Sequence, residues 1–443
     1  KDKMFFPRIG HADPGRPEQH KEWYKAIYNK ELKGKPTFGY NIQYFLRYQV
    51  GWMYWRYFMW NFSGKQNAQQ GYKPWDKSAG HWITGIKPID EAKLYSMDNV
   101  PESALSDEGT NKYFMLPFLF GLFGLIYQAF NRTKDFSILM LLFLITGLGL
   151  ILYSNQPPIE PRERDYVLVG SFFTFCMWIG LGVIALYDIL RDKISGAAPA
   201  AIGGALVMIA PLLMAFQNFD DHSRMGHYAS RDYASNFLNS VEENAIIFTY
   251  GDNDTYPLWY AQEVENIRRD VRVVNLSLIA VDWYINKLDD KVNDSDPIKF
   301  TLPESAYRGF LRNQVFFYSP DDNLSQPRNI YDEFNFIGSP KNNVQGQTIM
   351  RSTNLILPID AQKALDSGWV DYIDSTLVSH IPIRLNPNKS YITKDQLAVM
   401  DIIISNIYDR AIYFAVTCRN DKLLGLNDYM EVEGLGLRLM PYR

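Results

Sequence analysis

The sequence is poor in the residues that usually mark a redox centre, a metal site or a nucleophile. Its two cysteines, Cys176 and Cys418, lie far apart in unlike surroundings, so no disulfide framework and no thiolate metal site is expected. Histidine occurs only 6 times, and never in an H-E-x-x-H or Cys–His spacing. Neither G-x-G-x-x-G nor G-x-x-x-x-G-K is present, which removes the common phosphate cradles, and there is no G-x-S-x-G elbow. A net charge of −4 supplies no basic field for nucleic acid. The chain opens "KDKMFFPRIG", without an initiator Met or signal-peptide pattern, and closes on the strand-like "EGLGLRLMPYR". A piece of a longer polypeptide is the expectation.

What the chain has instead is aromatic and apolar sequence. Aromatics make up 15%, with 10 Trp and 29 Tyr, a content typical of membrane interfaces or of faces that stack on carbohydrate. Four apolar runs, approximately Tyr113–Phe130, Phe136–Ser154, Tyr166–Leu190 and Ala198–Phe216, each approach the roughly 20 residues a helix needs to cross a bilayer. Pro117 falls in a first turn and Pro211 late in the fourth run, where a kink is expected. Gly121, Gly124, Gly147, Gly149, Gly203 and Gly204 would let helices approach closely, or serve plain bundle packing. With no ionisable residue near the centre of any run, a transporter is disfavoured.

The short loops after the first and third runs carry Arg132, Lys134, Arg191 and Lys193, which the positive-inside bias places in the cytoplasm. The middle loop "NQPPIEPRERD" and both flanking regions then face outward. The expected domains are an aromatic-rich extracytoplasmic segment over 1–112, four transmembrane helices over 113–216 and an extracytoplasmic α/β domain over 217–443. The stretch Asn41–Gly64 reads as a helix, either lying in the interface with Arg47 and Arg56 snorkelling outward or buried against the protein.

Beyond residue 216, strand-like and helix-like segments alternate. "NAIIFTY", "DVRVVNLSLI" and "AIYFAVT" read as buried strands; "DYASNFLNSV", "YPLWYAQEVENIR", "VDWYINKL" and "TKDQLAVMDIIISNIY" read as helices. The fold class expected is therefore a membrane α-helical bundle followed by a soluble α/β domain with a mainly parallel sheet. Between the first strand and the next helix stands "GDNDT", Gly251–Thr255. One of its polar side chains can cap the helix; alternatively Asp252, Asn253 and Asp254 contact a ligand, because ligands of open α/β sheets sit beyond the carboxyl ends of strands. A hydroxyl-rich ligand would suit them, with Trp259 or Tyr260 stacking on a ring. The calcium-loop pattern is absent.

Two more polar clusters flank the runs. "FDDHSRMGHYASRDY" offers Asp220, Asp221 and His222 as a weak hard-cation set, and Arg224 as a basic group near the membrane; it is equally a polar membrane exit. "EPRERDY" carries Arg162 and Arg164, whose charges are balanced by neighbouring carboxylates. By the topology above, all three clusters fall on the outer side.

Four peptides, "YQVGWMYWRYFMWNFSGKQN", "EPRERDYVLVGSFFTFCMWIGLGV", "FDDHSRMGHYASRDYASNFL" and "GDNDTYPLWYAQEVENIRRDVRVVNLSLIAVDWYI", resemble large multi-pass membrane proteins of Bacteroidetes-type bacteria. That family is similar to the protein O-mannosyltransferases that act on plexin-type receptors. The resemblance implies a GT-C glycosyltransferase in the bacterial inner membrane, its soluble domain in the periplasm, transferring sugar from a polyprenyl-phosphate donor to an extracytoplasmic acceptor, protein Ser or Thr. In such enzymes the catalytic carboxylate lies in an early extracytoplasmic loop, and no residue of this chain matches it. Arg162, Arg164 and Arg224 become candidates for lipid-phosphate contact, and Asp252, Asn253, Asp254 and Trp259 for sugar or acceptor contact, with a divalent metal as an open possibility. The expected partners are the bilayer, the lipid-linked sugar and a protein acceptor. The other function consistent with the residues is a non-catalytic envelope scaffold that binds glycan or protein.

Overall fold

The computed structural model describes residues 5–9, 15–32, 36–158, 163–319, 323–342, 344 and 346–442, and the chain divides into two compact units, Lys1–Met225 and Gly226–Arg443.

The first unit is helical. Its apolar helices are α1 (Leu116–Asn131), α2 (Thr133–Ser154), α3 (Asp165–Leu190) and α4 (Ala198–His222). Three of them, α2, α3 and α4, are long and apolar enough to cross a membrane. The four spans expected from hydropathy are thus three long helices and a shorter one, α1, of 16 residues. The reason lies at its start. Phe114 and Met115 adopt φ values of 53° and 58°, and the Tyr113 and Phe114 amides bond to the Ser63 and Thr84 carbonyls. The apolar run is therefore drawn into an extended segment before the helix can begin. Helix α4 continues through Pro211 without a break.

The glycines divide by what surrounds them. A methyl group at Gly124 would collide with the Trp178 carbonyl oxygen, one at Gly121 with the Phe175 ring, and one at Gly147 would lie 2.7 Å from Ser171 Oγ. Around Gly204 there is open space. Close packing of α1 on α3 thus rests on Gly121 and Gly124, and a buried bond from Trp178 Nε1 to Gln128 Oε1 (2.7 Å) fixes their register. Outward-facing positions stay apolar, as with Ile138, Leu141 and Ile145 on α2 and Phe173 and Met177 on α3.

The aromatic stretch before these helices is buried. Residues 38–62 form a continuous helix whose middle, Phe45–Trp55, is π-helical. Tyr44, Tyr48, Phe58 and Phe62 have at most 2% of their surface exposed. Arg47 is exposed, but Arg56 does not snorkel outward: its guanidinium lies between the Trp52 and Trp60 rings, pairs with Glu163 and donates to the Gly80 carbonyl. A buried guanidinium with both a counter-charge and aromatic faces is tolerable, whereas a bare one is not.

In the second unit the elements follow the expected order. They are α5 (Ala229–Asn239), β1 (Ile246–Thr249), α6 (Asp252–Glu263), β2 (Arg272–Asn275), α7 (Asp282–Leu288), α8 (Lys394–Asn406), β3 (Ile412–Ala415), β4 (Met430–Glu433) and β5 (Gly436–Leu439). Their sheet has the order β4-β5-β3-β1-β2. Strands β3, β1 and β2 run parallel, with Phe248 opposite both Phe414 and Val274, but β5 and β4 join antiparallel. The sheet is mixed rather than mainly parallel. The closing segment has no crossover helix, and Gly434 at φ 56° folds it into a hairpin, which fixes antiparallel pairing. The stretch between α7 and α8, read as irregular, holds two further three-stranded sheets, each with one parallel and one antiparallel pair.

Helix α8 runs through the core, with Leu397, Ala398, Met400, Ile402 and Ile403 all sealed from solvent. Asp401 is buried among them. It accepts from the Thr301 amide (2.7 Å), the Leu302 amide (3.1 Å) and the Tyr307 hydroxyl (2.7 Å), while burial pushes its pKa up.

A candidate ligand cleft at the carboxyl edge of the sheet

Strands β1, β2 and β3 end along one edge at Thr249, Asn275 and Ala415. From β1 the chain passes through Tyr250 and Gly251 into α6. Gly251 sits at φ 84° with nothing near a would-be Cβ, so backbone conformation and not crowding calls for glycine there. It is also the residue that caps α6, and no side-chain capping bond is made. The cap expected from Asp252, Asn253, Asp254 or Thr255 is therefore absent; these four form the first helical turn.

Thr255 is the knot of this edge. Its hydroxyl donates to the Gly251 carbonyl (2.8 Å), accepts from the Asn275 side-chain amide (3.0 Å) and meets the Thr249 hydroxyl (2.7 Å). Asn275 in turn accepts from the Ser277 amide (2.7 Å), and its own amide donates to the Tyr284 hydroxyl (2.9 Å). Asp254 accepts from the Thr417 hydroxyl (2.6 Å), tying the loop after β3 to the same helix turn. Two carboxylates in a first turn also suit the positive end of the helix dipole.

Asp252 and Asn253 are exposed and line a cleft of about 610 Å³ between the starts of α5 and α6. Its other walls include Tyr228, Arg231, Tyr256 and Tyr260. Arg231 lies over the Tyr228 ring at 4.5 Å and pairs with Asp232 (2.8 Å). Tyr260 donates to Glu265 (2.9 Å), a bond that raises the phenol's pKa. Carboxylate, amide, phenol and guanidinium on aromatic walls can hold a polyhydroxylated ligand by hydrogen bonds and ring stacking.

Sequence reasoning missed Tyr228 and Tyr256. The second was readable, because Asp252, Tyr256 and Tyr260 follow an i, i+4, i+8 spacing and share a helix face. Trp259 is on a different face. It stacks on Tyr256 at 5.6 Å but lines a separate cavity near β2.

The remaining candidates lie in the first unit. Arg162 falls outside the described residues; Arg164 and Arg224 are exposed. Asp221 is occupied: it accepts from Asn111 (3.1 Å) and meets His222 Nδ1 at 2.5 Å, while Asp220 turns back to the Asp221 amide (3.0 Å). Among the described residues no three His, Cys, Asp or Glu side chains are grouped to hold a metal ion. Asp221 and His222 do share a cleft of about 350 Å³ with Glu163, Lys65 and Tyr57, which brings two of the polar clusters together.

The part of the chain that carries α6 and most of the carboxyl-edge cleft matches a known family. Residues 230–443 match TMEM260-associated domain 2. The TMEM260-associated segment thus begins inside α5 and spans every strand of the second unit's sheets. No curated protein and no solved structure matches the chain.

Proposed function

We propose that the chain is the membrane-anchored portion of a glycosyltransferase that moves a sugar from a polyprenyl-phosphate donor to an extracytoplasmic protein acceptor, and that the carboxyl-edge cleft holds the sugar or the acceptor. The observation that carries this reading is the match of residues 230–443 to a domain named for TMEM260, a plexin-related protein O-mannosyltransferase. The cleft supports it through its chemistry, since Asp252, Asn253 and the phenols are groups that bind hydroxyls.

In this reading α1 completes a four-helix membrane unit in a bacterial inner membrane, with the second unit outside the cytoplasm. Arg164 and Arg224 are available to meet the lipid phosphate, as exposed guanidiniums near the ends of α3 and α4. The base that takes the acceptor hydroxyl's proton is assigned to a part of the enzyme outside this chain. Membranes carrying the complete protein should transfer label from a polyprenyl-phosphate sugar to a Ser/Thr peptide. Transfer should fall when Asp252 and Asn253 are both changed to Ala. Absence of transfer across a panel of acceptors would refute the enzyme and leave a glycan- or protein-binding scaffold.

A further inference from the structure

The segment "NIRRDVRVVN" places an arginine, Arg272, at the start of a strand that is otherwise sealed in the core. Only 5% of its surface is exposed. Its Nη2 donates to the backbone carbonyls of Leu288 (2.7 Å) and Asp290, but Nε and Nη1 have no partner among the described residues. The neighbouring Asp290 carboxylate is taken by Lys287 (2.9 Å). A second buried arginine, Arg410, stands close enough for the two charges to depress its pKa, to about 10, after burial itself. Arg410 is likewise held by uncharged groups: the carbonyls of Asn244, Ala245 and Asp296 (2.8 Å), and Ser295 Oγ (2.9 Å). Both guanidiniums are thus hydrogen-bonded to uncharged groups, and among the described residues neither makes an ion pair with a carboxylate.

Arg272 also lines a cavity of about 310 Å³ on the free side of β2, the edge strand of the sheet. Val271, Val273, Leu288 and Val292 form its apolar wall, and Trp259 on α6 presents an indole to it. Arg269 and Lys287 also border the cavity, as does the Glu263 carboxylate, which accepts from the Asn293 side chain (2.6 Å). The volume is at the lower end of small-molecule sites. We infer that this cavity binds an organic anion, a carboxylate on an apolar, ring-sized body, with Arg272 as the counter-charge and Trp259 as the stacking face. The site is separate from the carboxyl-edge cleft and does not depend on the sugar-transfer reading.

Titration calorimetry on the full chain in lipid nanodiscs, against empty discs, tests this with phenylacetate as probe. One saturable site is expected, with phenylacetamide, the same body without the charge, binding at least about tenfold more weakly. Arg272→Met should weaken phenylacetate by a similar factor. Val292→Trp, which fills the cavity from an exposed position and leaves Arg272 in place, should also abolish or strongly weaken it and guards against misfolding of the first variant. No saturable heat, equal binding of phenylacetamide, or undiminished binding by Val292→Trp would each overturn the assignment. Inorganic phosphate binding as tightly as phenylacetate would overturn the apolar half of it.

Discussion

Replacing Thr255 by Val tests how the carboxyl edge is held. Valine keeps the shape of the side chain and removes only the hydroxyl, so the packing around α6 is retained. The Asn275 amide then loses its 3.0 Å acceptor and the Thr249 hydroxyl its 2.7 Å partner, both in a fully buried setting. A buried neutral group left unsatisfied costs about 1–3 kcal/mol, so two such groups cost about 2–4 kcal/mol with partial relaxation. Opening of the β1–α6 junction should become about 30-fold or more easier at tenfold per 1.4 kcal/mol. Hydrogen exchange on the full chain, read by mass spectrometry on peptides covering 246–263 and 270–279, measures this directly. Thr255→Ser, which keeps the hydroxyl, is the control and should change exchange little. Equal protection in the Val and Ser variants would refute the claim that this hydroxyl ties the ends of β1 and β2 together.

Other consequences can be measured on the same protein. Burial raises the Asp401 pKa, so the folded chain holds that proton more tightly than the unfolded one; the associated stability is full below the unfolded pKa of 3.8 and is lost as pH rises through the folded value. Asp401→Asn should remove that pH dependence, as denaturant melts at several pH values will show. Lys93 lies half-buried beside the Trp82 ring, and that burial lowers its pKa to about 7 from 10.5. Between those values the unfolded chain binds more protons, so stability should rise with pH, and Lys93→Met should flatten the rise. Gly124→Ala drives a methyl into the Trp178 backbone and should cost about 1–3 kcal/mol by overpacking, whereas Gly204→Ala, with open space around it, should cost little; thermal melts in nanodiscs distinguish them.

The secondary structure of the second unit was legible because its strands are uninterrupted apolar runs and its helices carry clear boundaries. "NAIIFTY" and "AIYFAVT" contain β1 and β3, and "TKDQLAVMDIIISNIY" contains α8. The hairpin of β4 and β5 was not, because strand direction depends on the connection and not on the strand's own composition. Hydropathy also placed the start of α1 too early. It does not register that backbone bonds from Tyr113 and Phe114 to residues 63 and 84 hold those two in extended and left-handed conformations.

The position of "GDNDT" between a buried strand and a helix was legible, but the division of labour within it was hidden. Gly251 does the capping, Thr255 binds the strand ends, Asp254 binds Thr417, and Asp252 with Asn253 is left for the cleft. Trp259 and Tyr260 were the rings expected to stack; Tyr260 lines the cleft, helical periodicity sets Tyr256 beside it, and Trp259 borders a separate cavity. Arg56 and Glu163 lie 107 residues apart, and no local pattern connects them.

The cleft itself offers the most direct test. Saturation-transfer NMR with a mannosylated peptide and its unglycosylated counterpart, on the full chain in nanodiscs, reads binding without requiring turnover. The account predicts signal from the sugar or peptide protons in the wild type and its loss in Tyr256→Ala and Asp252→Ala proteins that keep their fold. Wild-type signal that survives both substitutions, or no signal from either peptide, would contradict it.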